Sequence, residues 1–218
     1  HYLKRWDYSG MRWEGQLQED SYEPRFEPLY GIFLPTEELA RLRAEHEAAL
    51  ARGDSSLEKQ AAKLCRLEPE RGIHEFVDSG GRTNEVYGRT RDAATASIGT
   101  EEGVAVTALV LKDKALLRMA ARCALSMALS DKWDDGFVSR FPGSAWDVRG
   151  FRRSYTCNTL AQLLDLAGEM LTTAGRQYIL RRLAEEGVGL TNYPVWRYDY
   201  ILHSNQIGFV TRGRLYAY

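Results

Sequence analysis

The residues best equipped for chemistry crowd the last quarter of the chain. Tyr193, Trp196, Tyr198 and Tyr200 lead along a loop into His203-Ser204-Asn205-Gln206, which opens one more helix. An amide, an imidazole and several aromatic faces gathered in this way fit the wall of a carbohydrate cleft, because pyranose C–H faces pack well against aromatic planes. Of His203, Asn205 and Gln206, only His203 can move a proton near neutral pH; the amides of Asn205 and Gln206 donate and accept hydrogen bonds. Simpler roles compete with these. Asn205 can be a helix N-cap, His203 can bond a backbone carbonyl, and the rings can pin a loop to the core.

A second group lies upstream, where Trp133, Trp146, Arg149, Arg152, Arg153 and Tyr155 surround the start of another helical pattern. Its aromatics offer further stacking faces. Its arginines, with Arg212 and Arg214, form the local basic patches that a polyanion would need, or else solvated helix ends. Asp134, Asp135, Asp147 and Asp199 fall in the same loops and keep a glycoside hydrolase open as an alternative, although no two make a recognisable pair. Metal sites are not expected. Four scattered histidines and three isolated cysteines give no HxxxH, HxH or CxxC spacing, and no Gly-rich phosphate loop follows a strand.

Composition narrows the partners. Lys and Arg total 29 against 30 Asp and Glu, so a net charge of −1 supplies no general field for nucleic acid or an anionic membrane. The longest apolar run, from Gly103 to Leu111, is too short to span a bilayer. Hydrophobic residues make up 44%, enough for a buried core. Cys65, Cys123 and Cys157 are odd in number and far apart, which favours buried thiols while leaving one disulfide open.

Positioning falls to helices. Residues 1–34 mix aromatics and charges without a clean period and read as an extended arm packed onto something. Thr36 can cap a first helix with Glu37 and Glu38 in its first turn and Leu39, Leu42, His46 and Leu50 as its stripe. A second helix from Ser55 or Ser56 carries Leu57, Ala61, Leu64 and Cys65 inward. Residues 68–91 read as a long loop. Glu102 to Leu111 suits strand or helix; the polar turn Lys112-Asp113-Lys114 and the helical spacing from Leu116 to Ala128 make a helical hairpin the economical reading. A second hairpin places Leu160, Leu163, Leu164, Ala167 and Leu171 on one helix, Thr172 to Gly175 in the turn, and Ile179, Leu180 and Leu183 on the next. The expected fold is all-α, with residues 35–218 forming part of an α/α toroid. Ile207, Val210, Leu215 and Tyr218 keep a helical spacing with no stop signal, so the helices are expected to continue in a longer polypeptide.

The run Gly31-Ile-Phe-Leu-Pro-Thr-Glu-Glu-Leu-Ala-Arg-Leu-Arg, the hairpins Val104–Leu129 and Leu160–Leu183, and Asn205 opening a helix resemble the N-terminal half of the heparinase II/III-like polysaccharide lyases. The resemblance covers about residues 29–218. It implies an α/α toroid followed by β-sheet domains, and cleavage of uronic-acid polysaccharides by β-elimination. Asn205 would then neutralise the sugar carboxylate, with His203 and Gln206 beside it; where the family often has His after that Asn, this chain has Gln206. Tyr193, Trp196, Tyr198, Tyr200, Trp146, Arg149, Tyr155 and Arg212 would line the substrate path. The implied partners are an acidic polysaccharide and the rest of the same polypeptide, with the catalytic tyrosine in that remainder. No cofactor is implied for this segment, a metal in a downstream domain is left open, and the implied location is periplasmic or extracellular. A helical scaffold binding glycan or protein without chemistry is the other alternative.

Overall fold

The computed structural model describes residues 15–64, 103–129 and 151–185. Six α-helices account for most of them: α1 (Thr36–Ala51), α2 (Ser56–Leu64), α3 (Gly103–Leu111), α4 (Lys114–Leu129), α5 (Phe151–Ala167) and α6 (Thr173–Arg182). Among the described residues the sole β pairing is a single antiparallel bridge between Leu17 and Leu171. The described part is therefore helical.

The α3 segment, whose valines suit either state, is a helix. Burial explains the ambiguity. Val104, Ala105, Ala108 and Leu109 are almost fully enclosed, and α3 packs on α1, α2, α4 and α5. A helix covered on all sides has no polar face, so its sequence shows no amphipathic period. Lys112, at a φ of 54°, turns the chain, and Asp113 Oδ1 accepts the Leu116 N–H at 3.0 Å to start α4. Ala120, Ala121, Ala124 and Ala128 keep α4 slim beside α5.

Several boundaries depart from the sequence reading. Thr36 is the first residue of α1, and no side chain caps it; Pro35 occupies the cap position at φ −56°. Proline's fixed φ pre-sets the entry, which removes the need for a hydroxyl cap. Leu39 is buried in the expected stripe, but Leu50 is exposed. Helix α5 begins at Phe151, although the sequence from Asp131 to Ser154 reads as a long loop, and ends at Ala167, with a 3₁₀ turn over Gly168–Met170. Leu171 is thus extended and bridged to Leu17 rather than helical. Thr172 then caps α6, its Oγ1 accepting the Gly175 N–H at 3.2 Å, so Gly175 lies in the helix and not in the turn. Leu180 points outward, 46% exposed.

Residues 15–34 run without helix across α4, α5 and the 3₁₀ turn. Gln18 N–H donates to Met170 O at 2.8 Å and Thr172 N–H to Gln16 O at 2.9 Å. Arg118 on α4 reaches Gln18 O at 2.6 Å, and Lys114 reaches Asp20 O at 2.7 Å. Farther along, the Arg43 guanidinium joins Phe26 O at 2.7 Å to Leu109 O at 2.9 Å, tying this segment, α1 and α3 together.

The approach at Gly175 is close enough to test. A Cβ there would strike the Gln16 carbonyl oxygen and lie 3.1 Å from its carbonyl carbon, both rigid backbone atoms. Alanine is the better helix former by about 1 kcal/mol, yet the clash should win, and Gly175→Ala is expected to lose about 1–2 kcal/mol net. Chemical denaturation of the variant measures it. A gain in stability would show that residues 15–18 yield freely.

Candidate functional site

Of the residues that the sequence singles out, His203, Asn205, Gln206, Tyr193, Trp196, Tyr198, Tyr200, Trp146, Arg149 and Arg212 lie outside the described residues. Tyr155 has its backbone in α5, with its side chain outside the description. The aspartates of the hydrolase alternative, Asp134, Asp135, Asp147 and Asp199, also lie outside.

Two polar arrangements are built within the described part. The first runs along α5. Asn158, Gln162, Asp165 and Glu169 recur at steps of four, three and four residues, which places them along one side of the helix and its 3₁₀ extension. All four are buried, as are their apolar neighbours from Cys157 to Leu171. Gln162 Nε2 donates to Asn158 Oδ1 at 3.3 Å. The two acids receive the extended segment. Asp165 Oδ1 accepts the N–H groups of Tyr30 at 2.7 Å and Gly31 at 3.0 Å, while Oδ2 accepts Ile32 and Phe33, both at 2.9 Å. Glu169 accepts Arg25 N–H at 2.8 Å, Arg25 Nε at 3.1 Å, Phe26 N–H at 2.9 Å and the Tyr22 hydroxyl at 3.3 Å. Burial disfavours the Glu169 charge, but the Arg25 backbone N–H and guanidinium, with further main-chain donors, outweigh it and hold its carboxyl below the ordinary value.

The second arrangement is a groove of about 840 Å³ between α1, α2 and the α3–α4 turn. Ala61, Val110 and Ala115 are among its apolar lining, and Arg43, His46, Glu47, Glu58, Lys112 and Lys114 among its polar lining. His46 Nε2 lies 3.0 Å from Glu58 Oε1, fastening α1 to α2. Two of the other charges are also engaged: Arg43 holds two carbonyls, and Lys114 pairs with Glu23 at 3.0 Å. The groove is mainly a seam that these charges fasten.

Among the described residues no group of three or more His, Cys, Asp or Glu side chains is placed to hold a metal ion, and no helix is long and apolar enough to cross a membrane. Cys123 and Cys157 are buried and form no disulfide. Burial pushes the Cys123 thiol up to about 12, so it is inert as a nucleophile.

Sequence reasoning missed Asp165 and Glu169. A signal existed. Two acids four residues apart interrupt the apolar run Leu160–Met170, and an acid inside such a run implies a buried partner. Its identity was hidden, because main-chain N–H groups carry no side-chain signature.

The chain matches no family model, no curated protein and no solved structure. The functional reading therefore rests on its own residues.

Proposed function

We propose that this chain supplies helices of an α/α toroid to a polysaccharide lyase that cleaves uronic-acid-containing glycans by β-elimination. The observation that carries the reading is the helix arrangement about α5. A two-residue connection turns α4 back against α3, α5 packs against α4, and α6 ends where α4 ends, with Arg182 Nε 3.0 Å from Ala128 O. Consecutive helices alternating around an enclosed one are the units from which α/α toroids are built.

The chemistry assigned to the cleft follows from the substrate. Removing the C5 proton leaves charge that the adjacent carboxylate must share, and a neutralising donor at that carboxylate lowers the barrier. Asn205 is assigned this role through its amide N–H, with Gln206 as a second donor and His203 as a proton carrier. A base takes the proton, the C5 electron pair forms the C4–C5 double bond, and the C4–O4 bond breaks as an acid protonates the leaving oxygen. Base and acid are assigned outside the described residues, in the same polypeptide. Tyr193, Trp196, Tyr198, Tyr200, Trp146 and Tyr155 would stack on sugar rings, while Arg149 and Arg212 would answer the polymer's negative charge. This reading needs no cofactor in the segment, and an extracellular or periplasmic site of action goes with such a substrate.

Incubation of the protein in its full polypeptide with alginate, heparan sulfate, chondroitin sulfate and hyaluronan tests the reading. Ultraviolet absorbance from an unsaturated uronide is the expected product signal. New reducing ends without that absorbance would replace the lyase with a hydrolase, and binding without any product would leave a glycan-binding scaffold.

A further inference from the structure

We propose that residues 22–26 form an acid-releasable strap, fastened to the 3₁₀ extension of α5 by Glu169 and flanked by segments held independently of that carboxylate at residues 16–18 and 29–33. Two anchors of different chemistry support the division. At residues 16–18 the bonds are main chain to main chain, plus Arg118 to Gln18 O and Gln18 Nε2 to Leu171 O at 3.4 Å, and none involves a carboxylate. At Tyr22 to Phe26, by contrast, the main-chain N–H groups of Arg25 and Phe26, the Arg25 guanidinium and the Tyr22 hydroxyl converge on the buried Glu169 carboxylate. Farther along, Leu29 N–H donates to the main-chain Asp165 O at 2.7 Å, and the N–H groups of Tyr30 to Phe33 meet the Asp165 side chain. Loss of charge on Glu169 therefore weakens four contacts together, because bonds to an ionised acceptor are roughly twice as strong as neutral ones.

The backbone is bent to make these contacts. Phe26 stands at φ 60° and Gly31 at φ 70°, left-handed conformations that aim successive N–H groups at one anion. For glycine this costs little, but for a bulky residue such as Phe26 it is strained, on the order of 1 kcal/mol or more. Glu169, holding the Arg25 and Phe26 N–H groups, and Arg43, holding Phe26 O at 2.7 Å, keep that strain in place, so protonation of Glu169 removes one of two restraints on a strained residue. Lifting the strap would uncover the Glu169 side of the 3₁₀ turn, while Leu29 stays on Gly168 through its N–H bond to Asp165 O at 2.7 Å.

Among the described residues, Arg43 of α1 reaches the strap at Phe26 O, 2.7 Å away. Facing Glu169 are Arg25 and Tyr22 of the strap, with Arg176 of α6 nearby; Glu27 lies beside Arg25. From α4, Arg118 pairs with Asp20 at 3.2 Å and Lys114 with Glu23 at 3.0 Å. Asp165 meets main-chain donors from Tyr30 to Phe33. The sign at Glu169 is fixed by its lowered value. Its contribution is fully present above the unfolded carboxylate value and is lost as pH falls through the lower folded one. Release therefore belongs below about pH 4.

Hydrogen exchange on the full chain between pH 7 and pH 3, corrected for the intrinsic rate, tests the strap. Amides of Arg25 and Phe26 are expected to lose protection on the order of tenfold or more while α3 and α4 amides keep theirs. Glu169→Gln should lower strap protection already at neutral pH. Arg25→Gln, at a residue whose side chain is 72% exposed and whose loss will not unfold the core, should shift release to higher pH. Simultaneous loss in strap and helices, or protection persisting to pH 3, would overturn the proposal. So would an Arg25→Gln profile identical to the parent's.

Discussion

Asp165→Ala is expected to destabilise the protein by about 3 kcal/mol or more, a large effect for one side chain that touches no ligand. The Asp165 side chain is buried and its oxygens take four consecutive main-chain N–H groups, from Tyr30 to Phe33. Alanine would leave those donors without their acceptor, each costing about 1–3 kcal/mol where water cannot reach. Partial access reduces the sum, since Tyr30 and Ile32 are 56% and 72% exposed. Hence the estimate sits near the cost of two or three orphaned groups rather than four. Asp165→Asn should cost less than alanine but still more than 1 kcal/mol, because one of its two positions becomes a donor facing donors. Urea denaturation followed by circular dichroism gives both values. A loss under 1 kcal/mol for Asp165→Ala would mean that water replaces the carboxylate, and the tight turn at Gly31 would then owe little to it.

How far the sequence carries can be argued from particular residues. Helical character was legible where apolar residues recur on one side, as at Leu116, Leu117, Ala120 and Ala124, all buried in α4. It was ambiguous at Val104–Val110, where enclosure on every side erases the period. Boundaries failed for a different reason. Thr172 has a capping hydroxyl and does cap α6, but the apolar stripe runs through Leu171 into that cap, so spacing alone extended the preceding helix too far. Gly175 reads as a turn residue because glycine usually marks one; here it is required by the Gln16 carbonyl pressed against the helix, a contact 159 positions away in sequence that no local pattern encodes. The main-chain partners of Asp165 and Glu169 were hidden in the same way. The candidate cleft residues around Asn205 lie outside the described part, so their proposed roles depend on direct measurement.

Asn205→Ala provides that measurement, and its expected effect is the larger of the two on function. If the amide holds the carboxylate while charge develops on it, kcat/KM for a uronide polymer should fall by roughly 2–4 kcal/mol, on the order of a hundredfold or more, because the lost contact is strongest in the transition state. The melting temperature should barely move. If Asn205 merely caps the helix that it opens, the same change should cost about 1 kcal/mol of stability and leave turnover intact. The two outcomes lie on different axes, so one variant measured for both separates them. Asn205→Asp sharpens the contrast: a carboxylate caps a helix as well as an amide does, but it repels the carboxylate of the substrate. Stability retained with activity lost in Asn205→Asp is the expected result. Full activity in that variant would remove Asn205 from the cleft, and with it the residue on which the β-elimination reading depends.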